Sequence, residues 1–310
     1  MTMNYTTTNI AQAITDKIIA ELEKHQQDGT LPSWVKPWNA TGSDARPYNP
    51  MTKNHYNGVN WLWLSLLQNS GDYGSSNEWL TYKQAQTVTG LDKPIKAGSK
   101  SVQVIFYKTL LIKDKTATSD TGADKTKKIP MMKIYRVFNR DCIEGLEAPI
   151  VTEPRAIPER NQSIEDFIKA TKAEINFGGA RAFYNPSIDT IQVPNLEDFK
   201  TVEDYYSTIA HELTHWTGSE ARLNRLKGDS FGSESYAFEE LVAELGSAMV
   251  NAKLGLDGKL QHVEYIGSWL KVLKNDSKAI LKASALAQKA LDYLENITGT
   301  KTNKSYTATA

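Results

Sequence analysis

The chain has 310 residues, 40% hydrophobic and 23% charged, with equal numbers of basic and acidic groups. That is the composition of a globular protein with apolar mass for about two domains. No run approaches the roughly 20 apolar residues of a membrane helix, and the single cysteine, Cys142, excludes an internal disulfide or a cysteine-based zinc finger. The opening MTMNYTTTNIAQAITDKIIAELE has no basic region ahead of an apolar run, so the expectation is no secretory signal and a cytoplasmic location.

In chain order, Asn9 to Gln26 reads as a helix, followed by a loop rich in Pro, Gly and Asn that carries Trp34, Trp38, Tyr48 and Tyr56. A short apolar helix, Trp61-Leu-Trp-Leu-Ser-Leu-Leu67, comes next, and Trp79 to Gln86 reads as a strand entering a helix. Val102 to Ile112 and Met131 to Phe138 are strand-like, with a polar hairpin loop at 114–128 between them. Pro149, Pro154 and Pro158 then rule out a continuous helix through 146–162, which is the expected linker. Beyond it, Ser163 to Ala173 reads as a helix, and Ala180 to Tyr184 and Thr190 to Val193 as short strands joined by a turn. In Val202 to Trp216 the apolar residues Val202, Tyr206, Ile209, Leu213 and Trp216 recur every three or four positions, the stripe of a core-facing helix. Three more helical runs follow, at 235–254, 263–273 and 278–294, with a disordered tail expected over 298–310. The expectation is an α+β fold: a small N-terminal α+β domain over 1–145 and a mostly helical domain over 163–297.

The neutral total conceals a division. Residues 1–150 carry a net +4 and 151–310 a net −4, and within the first half residues 79–140 hold 13 Lys and Arg against 4 Asp and Glu. An excess of that size favours a polyanionic partner, although a solvated lysine-rich surface has the same composition.

The helix over 202–216 contains His211-Glu-Leu-Thr-His215. Histidines four apart lie on one helix face, so both imidazoles can reach one ion, with Glu212 beside them to take a proton from a water on the metal. A third ligand is needed, and Glu239-Glu-Leu-Val-Ala-Glu244 lies 24 to 29 residues after His215. Several HExxH peptidases supply a ligand from a Glu-x-x-Ala-acid run and a supporting carboxylate one turn later; by that likeness Glu240 is the ligand and Glu244 the acid that fixes a histidine tautomer, with the reverse assignment open. The ligand set favours Zn2+, with another divalent ion as the alternative. The histidines fall off the apolar stripe, and the strand Thr190 to Val193 lies upstream, where HExxH peptidases place a substrate-pairing edge strand.

In the first half, Trp34, Lys36, Trp38, Tyr48, Lys53 and Tyr56 interleave rings with cations, as a surface for unpaired nucleic acid does, with rings on bases and lysines on phosphates. Packing in a small core is the competing explanation; it is preferred for Trp61 and Trp63 and stands even for Trp34, Trp38, Tyr48 and Tyr56. Lys83 joins the candidate set, and Lys96 and Lys100, flanking Ala-Gly-Ser, are expected to form a tight turn that offers amides and charge to phosphate.

Several stretches together resemble the ArdC antirestriction family encoded on conjugative plasmids: Trp34-Val-Lys-Pro-Trp38, Tyr48 to Asn60, Trp79 to Ala85, Val137 to Leu146, Tyr205 to Gly218, Arg222-Leu-Asn-Arg225, Glu239 to Leu245 and Ser268 to Leu273. The resemblance runs from about Asn9 to Leu294. It implies an N-terminal domain that binds single-stranded DNA, a C-terminal zincin-like metallopeptidase domain, and protection of incoming DNA from host restriction. One departure is Ala97-Gly-Ser-Lys-Ser101 where the family reads Lys-Gly-x-Lys-Gly, a loss that Lys96 and Lys100 would have to offset. Two rival functions stand beside this one: a cytoplasmic zinc peptidase without DNA binding, whose protein substrate is unknown, and a DNA-coating protein whose metal site is only structural.

Overall fold

Helix α1, Thr7–Asp28, buries Ile14, Ile18 and Leu22, one residue per turn along a single face. In the computed structural model, which describes residues 7–28, 46–69, 73–74, 76–113, 126–146, 161–226, 233–256, 266–276 and 278–300, that face meets the C-terminal helices Ile266–Asn275 and Ala279–Ile297.

A two-residue hairpin, β1 (Tyr48–Asn49) and β2 (Asn54–His55), leads into α2, Val59–Asn69. Helix α2 is apolar on two sides. Trp61, Leu62 and Leu66 join the large core, whereas Leu64 and Leu67 pack with Tyr56, Trp79, Val102, Val104 and Val137. Strand β3, Trp79–Thr81, runs into α3, Tyr82–Thr89, because Thr81 and Gln84 form a reciprocal capping box at the helix start. The long strands β4 (Val102–Lys113) and β5 (Thr126–Asn139) pair antiparallel from end to end, and β3 adds to the other side of β5.

From Gln162, α4 (Gln162–Ala170) precedes a three-stranded sheet of β6 (Glu174–Phe177), β7 (Phe183–Asn185) and β8 (Thr190–Val193). The order is β6-β8-β7, with β8 parallel to β6 and antiparallel to β7. Strand β8 is therefore central, not the edge strand expected from chain order, because β6, which was not anticipated, covers one side and β7 the other. Ile191 and Val193 of β8 pack on α5, Val202–Thr217. Helices α6 (Glu234–Leu254), α7 (Ile266–Asn275) and α8 (Ala279–Ile297) complete the bundle.

The sequence division at 146–162 does not separate two cores. Side chains of α1 and α2 share one cluster with α5, α6, α7 and α8. Polar links cross in the same place: Arg46 pairs with Glu295 at 3.1 Å, Lys253 joins it at 3.2 Å, and the Gly58 N–H donates to Gln288 Oε1 at 3.2 Å. Residues 298–300 of the expected tail are placed, and the Thr300 carbonyl accepts from Lys253 Nζ; 301–310 lie outside the described residues, as do 114–125 of the expected hairpin loop. Among the described residues no helix is long and apolar enough to cross a membrane.

Candidate metal centre

Helix α5 starts at Thr201, whose hydroxyl accepts from the Asp204 N–H, and Glu203 and Asp204 sit favourably in its first turn. From Tyr205 to Thr217 every residue is buried except His215, which is half-buried. The expected stripe with histidines off to one side is thus only one side of a fully enclosed helix. The strands β7 and β8 and the helices α6 and α8 all pack on it, with stripe residue Trp216 meeting Tyr293 of α8.

Burial of the histidines is matched by polar partners. His211 and His215 turn their Nε2 atoms toward each other at 3.1 Å. Glu240 on α6 spans them, with Oε2 3.5 Å from His211 Nε2 and Oε1 3.6 Å from His215 Nε2. The ligand atoms of His211, His215 and Glu240 all lie within 4.8 Å of one another, a group able to hold a metal ion. Two tetrahedral ligands about 2.0 Å from zinc would stand about 3.3 Å apart, so these separations fit such an ion with small adjustments.

The outer nitrogens are held as well. Glu244 Oε1 lies 3.5 Å from His211 Nδ1, and Glu239 Oε1 lies 3.1 Å from His215 Nδ1. Each carboxylate favours the proton on Nδ1 and leaves Nε2 free for a metal. Glu240 thus faces both Nε2 atoms and Glu244 faces His211 Nδ1, while Glu239, at His215 Nδ1, was not among the candidates. Its only sequence signal was being an acid next to the candidate ligand. Glu212 is 4% exposed and has no hydrogen-bond or ion-pair partner among the described residues.

Burial alone would lower the His215 pKa, but Glu239 and Glu240 outweigh it and raise it to about 10. Burial would raise the Glu240 carboxyl, but His211 and His215 hold it well below the carboxylate range; His215 and Arg225 do the same for Glu239.

The N-terminal candidates divide. Tyr56 is buried, with its hydroxyl donating to the Trp79 carbonyl at 3.1 Å, so its ring is a core element and is not available to a base. Tyr48 is half-buried and donates to Glu78 at 2.6 Å; burial and that carboxylate push its hydroxyl up to about 12. Lys53, Lys83, Lys96 and Lys100 are exposed. The tight turn exists: the Ser99 N–H donates to the Lys96 carbonyl at 3.2 Å, and Gly98 takes φ 81° between them. Lys96 Nζ donates to the Asp141 carbonyl at 2.8 Å, and Lys100 Nζ stands 5.9 Å from the Tyr73 ring centre. Trp34, Lys36 and Trp38 lie outside the described residues. Sequence reasoning overlooked Tyr135, which is 42% exposed on β5 and meets Phe106 edge-on at 5.3 Å, with exposed Lys133 two positions along the same face.

The enclosed His-Glu-x-x-His helix, the carboxylate from the next helix and the small sheet alongside define a zincin-like unit, and residues 162–286 match the family described as zincin-like metallopeptidase. Residues 8–138 match the N-terminal domain of anti-restriction factor ArdC. The fold is similar to the crystal structure of the antirestriction ArdC protein from the R388 plasmid in its metal-free state, with a TM-score of 0.76 and 36% identity over 95% of this chain and 100% of that one. The Mn(II)-bound structure of that protein is similar too, with a TM-score of 0.72 and 36% identity over 93% of this chain and 97% of that one. Uncharacterized protein y4eC of Sinorhizobium fredii is 33% identical over 93% of this chain and 92% of its own length. DNA primase TraC of Escherichia coli is 35% identical over 91% of this chain, which spans only 20% of that longer protein. The chain belongs to the ArdC antirestriction family, and it carries a divalent-metal site.

Proposed function

We propose that this chain protects incoming plasmid DNA from restriction in the cytoplasm of a new host, binding it as a single strand and carrying a zinc-dependent peptidase site. The observation that carries the reading is the meeting of His211, His215 and Glu240 in a chain whose other half matches the ArdC N-terminal domain. Two imidazoles and a carboxylate suit zinc, although Mn(II) sits in the similar R388 protein.

When bound, the ion polarises a substrate carbonyl and acidifies the attacking water. His211, His215 and Glu240 hold it, and Glu244 and Glu239 fix the two imidazoles in the tautomer that presents Nε2. Glu212, with no other partner among the described residues, takes the proton from the water and returns it to the leaving amine. In the N-terminal half, Lys53, Lys83, Lys96 and Lys100 meet phosphates. Trp34, Lys36 and Trp38 stay in the proposed set, and Tyr135 replaces Tyr56 as a stacking ring.

A second reading, DNA coating with a structural metal, is favoured by the burial of His211 and Glu240, at 2% and 4% exposure. Transfer of an unmodified plasmid into a restricting recipient separates the two. Glu212→Gln should keep its metal and lose protection if hydrolysis matters; full protection supports coating. Oligonucleotide titration tests the DNA half, and a peptidase that does not bind DNA would show no affinity. The whole chain is the right sample, because α1 and α2 share their core with α5 to α8.

A further inference from the structure

The segment after α5 folds back on the helix end. The N–H groups of Arg225 and Leu226 both donate to the Gly218 carbonyl, at 2.8 and 2.9 Å, and the Leu223 N–H donates to the Thr217 carbonyl at 3.0 Å. Gly218 has φ −80°, so its conformation does not call for glycine; the space does. A Cβ there would lie 2.9 Å from Arg225 Nη2 and 3.0 Å from Leu226 Cγ.

Folded this way, the segment sends two arginines to two different places. The Arg225 side chain is 6% exposed and grips Glu239 at two points, Nε to Oε2 at 2.7 Å and Nη2 to Oε1 at 2.8 Å. It also donates to the Thr214 carbonyl at 2.7 Å and to Thr217 Oγ1 at 3.3 Å, both on the metal helix. The Glu239 oxygen that takes Nη2 is the one 3.1 Å from His215 Nδ1. Arg225, Glu239 and His215 therefore form a continuous chain of charge-assisted hydrogen bonds that ends on a metal-facing imidazole. Arg222 turns the other way. Its guanidinium lies 3.9 Å from the Trp216 ring centre, its Nη1 donates to Asp189 Oδ2 at 3.0 Å, and its Nη2 donates to the Tyr184 hydroxyl at 3.1 Å. It ties the β7–β8 hairpin to the end of α5.

We propose that the 218–226 turn is the positioning element of the metal centre: Arg225, through Glu239, aims the His215 imidazole and so sets metal affinity, while Arg222 anchors the neighbouring hairpin. This rests on the reading of His211, His215 and Glu240 as the ligands. Arg225 and Glu239 are positioning residues, because neither reaches the ion.

The test is the affinity of the full chain for Zn2+ alone, measured by competition with a chelator. Glu239→Ala and Arg225→Ala should each weaken it about 10- to 100-fold, the range for groups that orient a ligand. The double variant should be no weaker than Glu239→Ala, because Arg225 works through Glu239. Arg225→Lys, which keeps the charge and loses the fork, should recover part of the loss. Arg222→Ala should leave zinc affinity unchanged and lower thermal stability. Wild-type affinity in folded Glu239→Ala, or additive losses in the double variant, would overturn the proposal. If Glu239→Ala does not fold, Glu239→Gln keeps the shape without the charge, and undiminished affinity there would overturn it equally. His215→Ala is the control on the ligand reading. If it binds zinc like the wild type, that reading fails; if it loses zinc while Glu239→Ala does not, only the positioning role fails.

Discussion

Asn60 pairs with Ile105 as a neighbouring strand residue would: its Nδ2 donates to the Ile105 carbonyl at 2.6 Å, and its Oδ1 accepts the Ile105 N–H at 2.8 Å. One side chain from α2 thereby closes the outer edge of β4 and fastens the N-terminal sheet to a helix that is itself part of the large core. Asn60→Ala leaves a buried N–H and a buried carbonyl without partners, at a cost of about 1–3 kcal/mol for such a group. Urea unfolding of the full chain should show the loss as a lower midpoint. A midpoint equal to that of wild type would mean the edge is satisfied in some other way.

The crossing of α5 and α6 sets where Glu240 stands relative to the histidines, and it depends on one missing methyl. A Cβ on Gly246 would lie 2.4 Å from Thr214 Cγ2 and 2.8 Å from its Oγ1, and Thr214 is fully buried one residue before His215. Gly246→Ala must therefore push the helices apart, costing about 1–3 kcal/mol as overpacking does. The same shift draws Glu240 away from the His211 and His215 Nε2 atoms, so zinc affinity should fall together with the melting temperature. Thr214→Ser in the Gly246→Ala background removes the closer atom and should restore part of both. No recovery in the double variant would show that the clash with Thr214 is not the cause.

Much of this centre was legible because helix geometry is local. Histidines at i and i+4 share a face whatever surrounds them, so His211 and His215 could be paired from spacing alone, whereas Glu240 and Glu244, on another helix, came from likeness to the Glu-x-x-Ala-acid run of other HExxH peptidases. Glu239 was not legible. Whether it or a neighbour meets His215 depends on how α6 is rotated about its axis against α5, which only packing decides. Strand order has the same character: that β8 is central rather than at the edge depends on β6, whose Glu-Ile-Asn-Phe alternates over only four residues, too short a run to mark a strand by itself. Residues 9–26 read as a helix, but nothing local said that its face of Ile14, Ile18 and Leu22 would be buried by α7 and α8. Tyr56 and Tyr135 show the limit most plainly. Both are tyrosines near cations in sequence, yet one donates to a backbone carbonyl in the core and the other faces solvent on β5.

Protons and metal should compete at this site in a defined window. In the metal-free protein His215 keeps its proton to about pH 10, against an ordinary value of 6.5, because Glu239 and Glu240 stabilise the charged form. A raised pKa contributes stability that is fully present below about pH 6.5 and is lost as pH rises through about 10. The metal needs neutral imidazoles, so loading at neutral pH must expel a proton, and affinity should climb across the same window. Calorimetric zinc titrations in two buffers of different ionisation enthalpy will count the protons released, with about one per ion expected. The metal-free melting temperature should fall between pH 6.5 and 10 while that of the loaded protein does not. Zinc binding without proton release would show that His215 is already neutral and that its carboxylates do not act as described.

DNA binding by the N-terminal half is best tested through residues that the structure places on opposite sides of the surface. Tyr135→Ala removes an exposed ring, and a stacked base is worth about 1–3 kcal/mol, so affinity for a single strand should drop accordingly. Tyr56→Phe removes only the buried hydrogen bond to the Trp79 carbonyl, so it should lower stability by about 1 kcal/mol and leave DNA affinity alone. Replacing Lys96 and Lys100 by Ala removes two exposed cations from the turn around Gly98, and each phosphate that goes without its lysine should flatten the slope of log affinity against log salt by about 0.7. The whole chain is titrated with single-stranded and duplex oligonucleotides of one length across several salt concentrations. Equal affinity of wild type for both forms, with Tyr135→Ala indistinguishable from it, would mean that charge alone holds DNA and that no ring on β5 reads an unpaired base. An unchanged salt slope in the double lysine variant would remove the turn from the binding surface, leaving Lys53 and Lys83 to account for the phosphates.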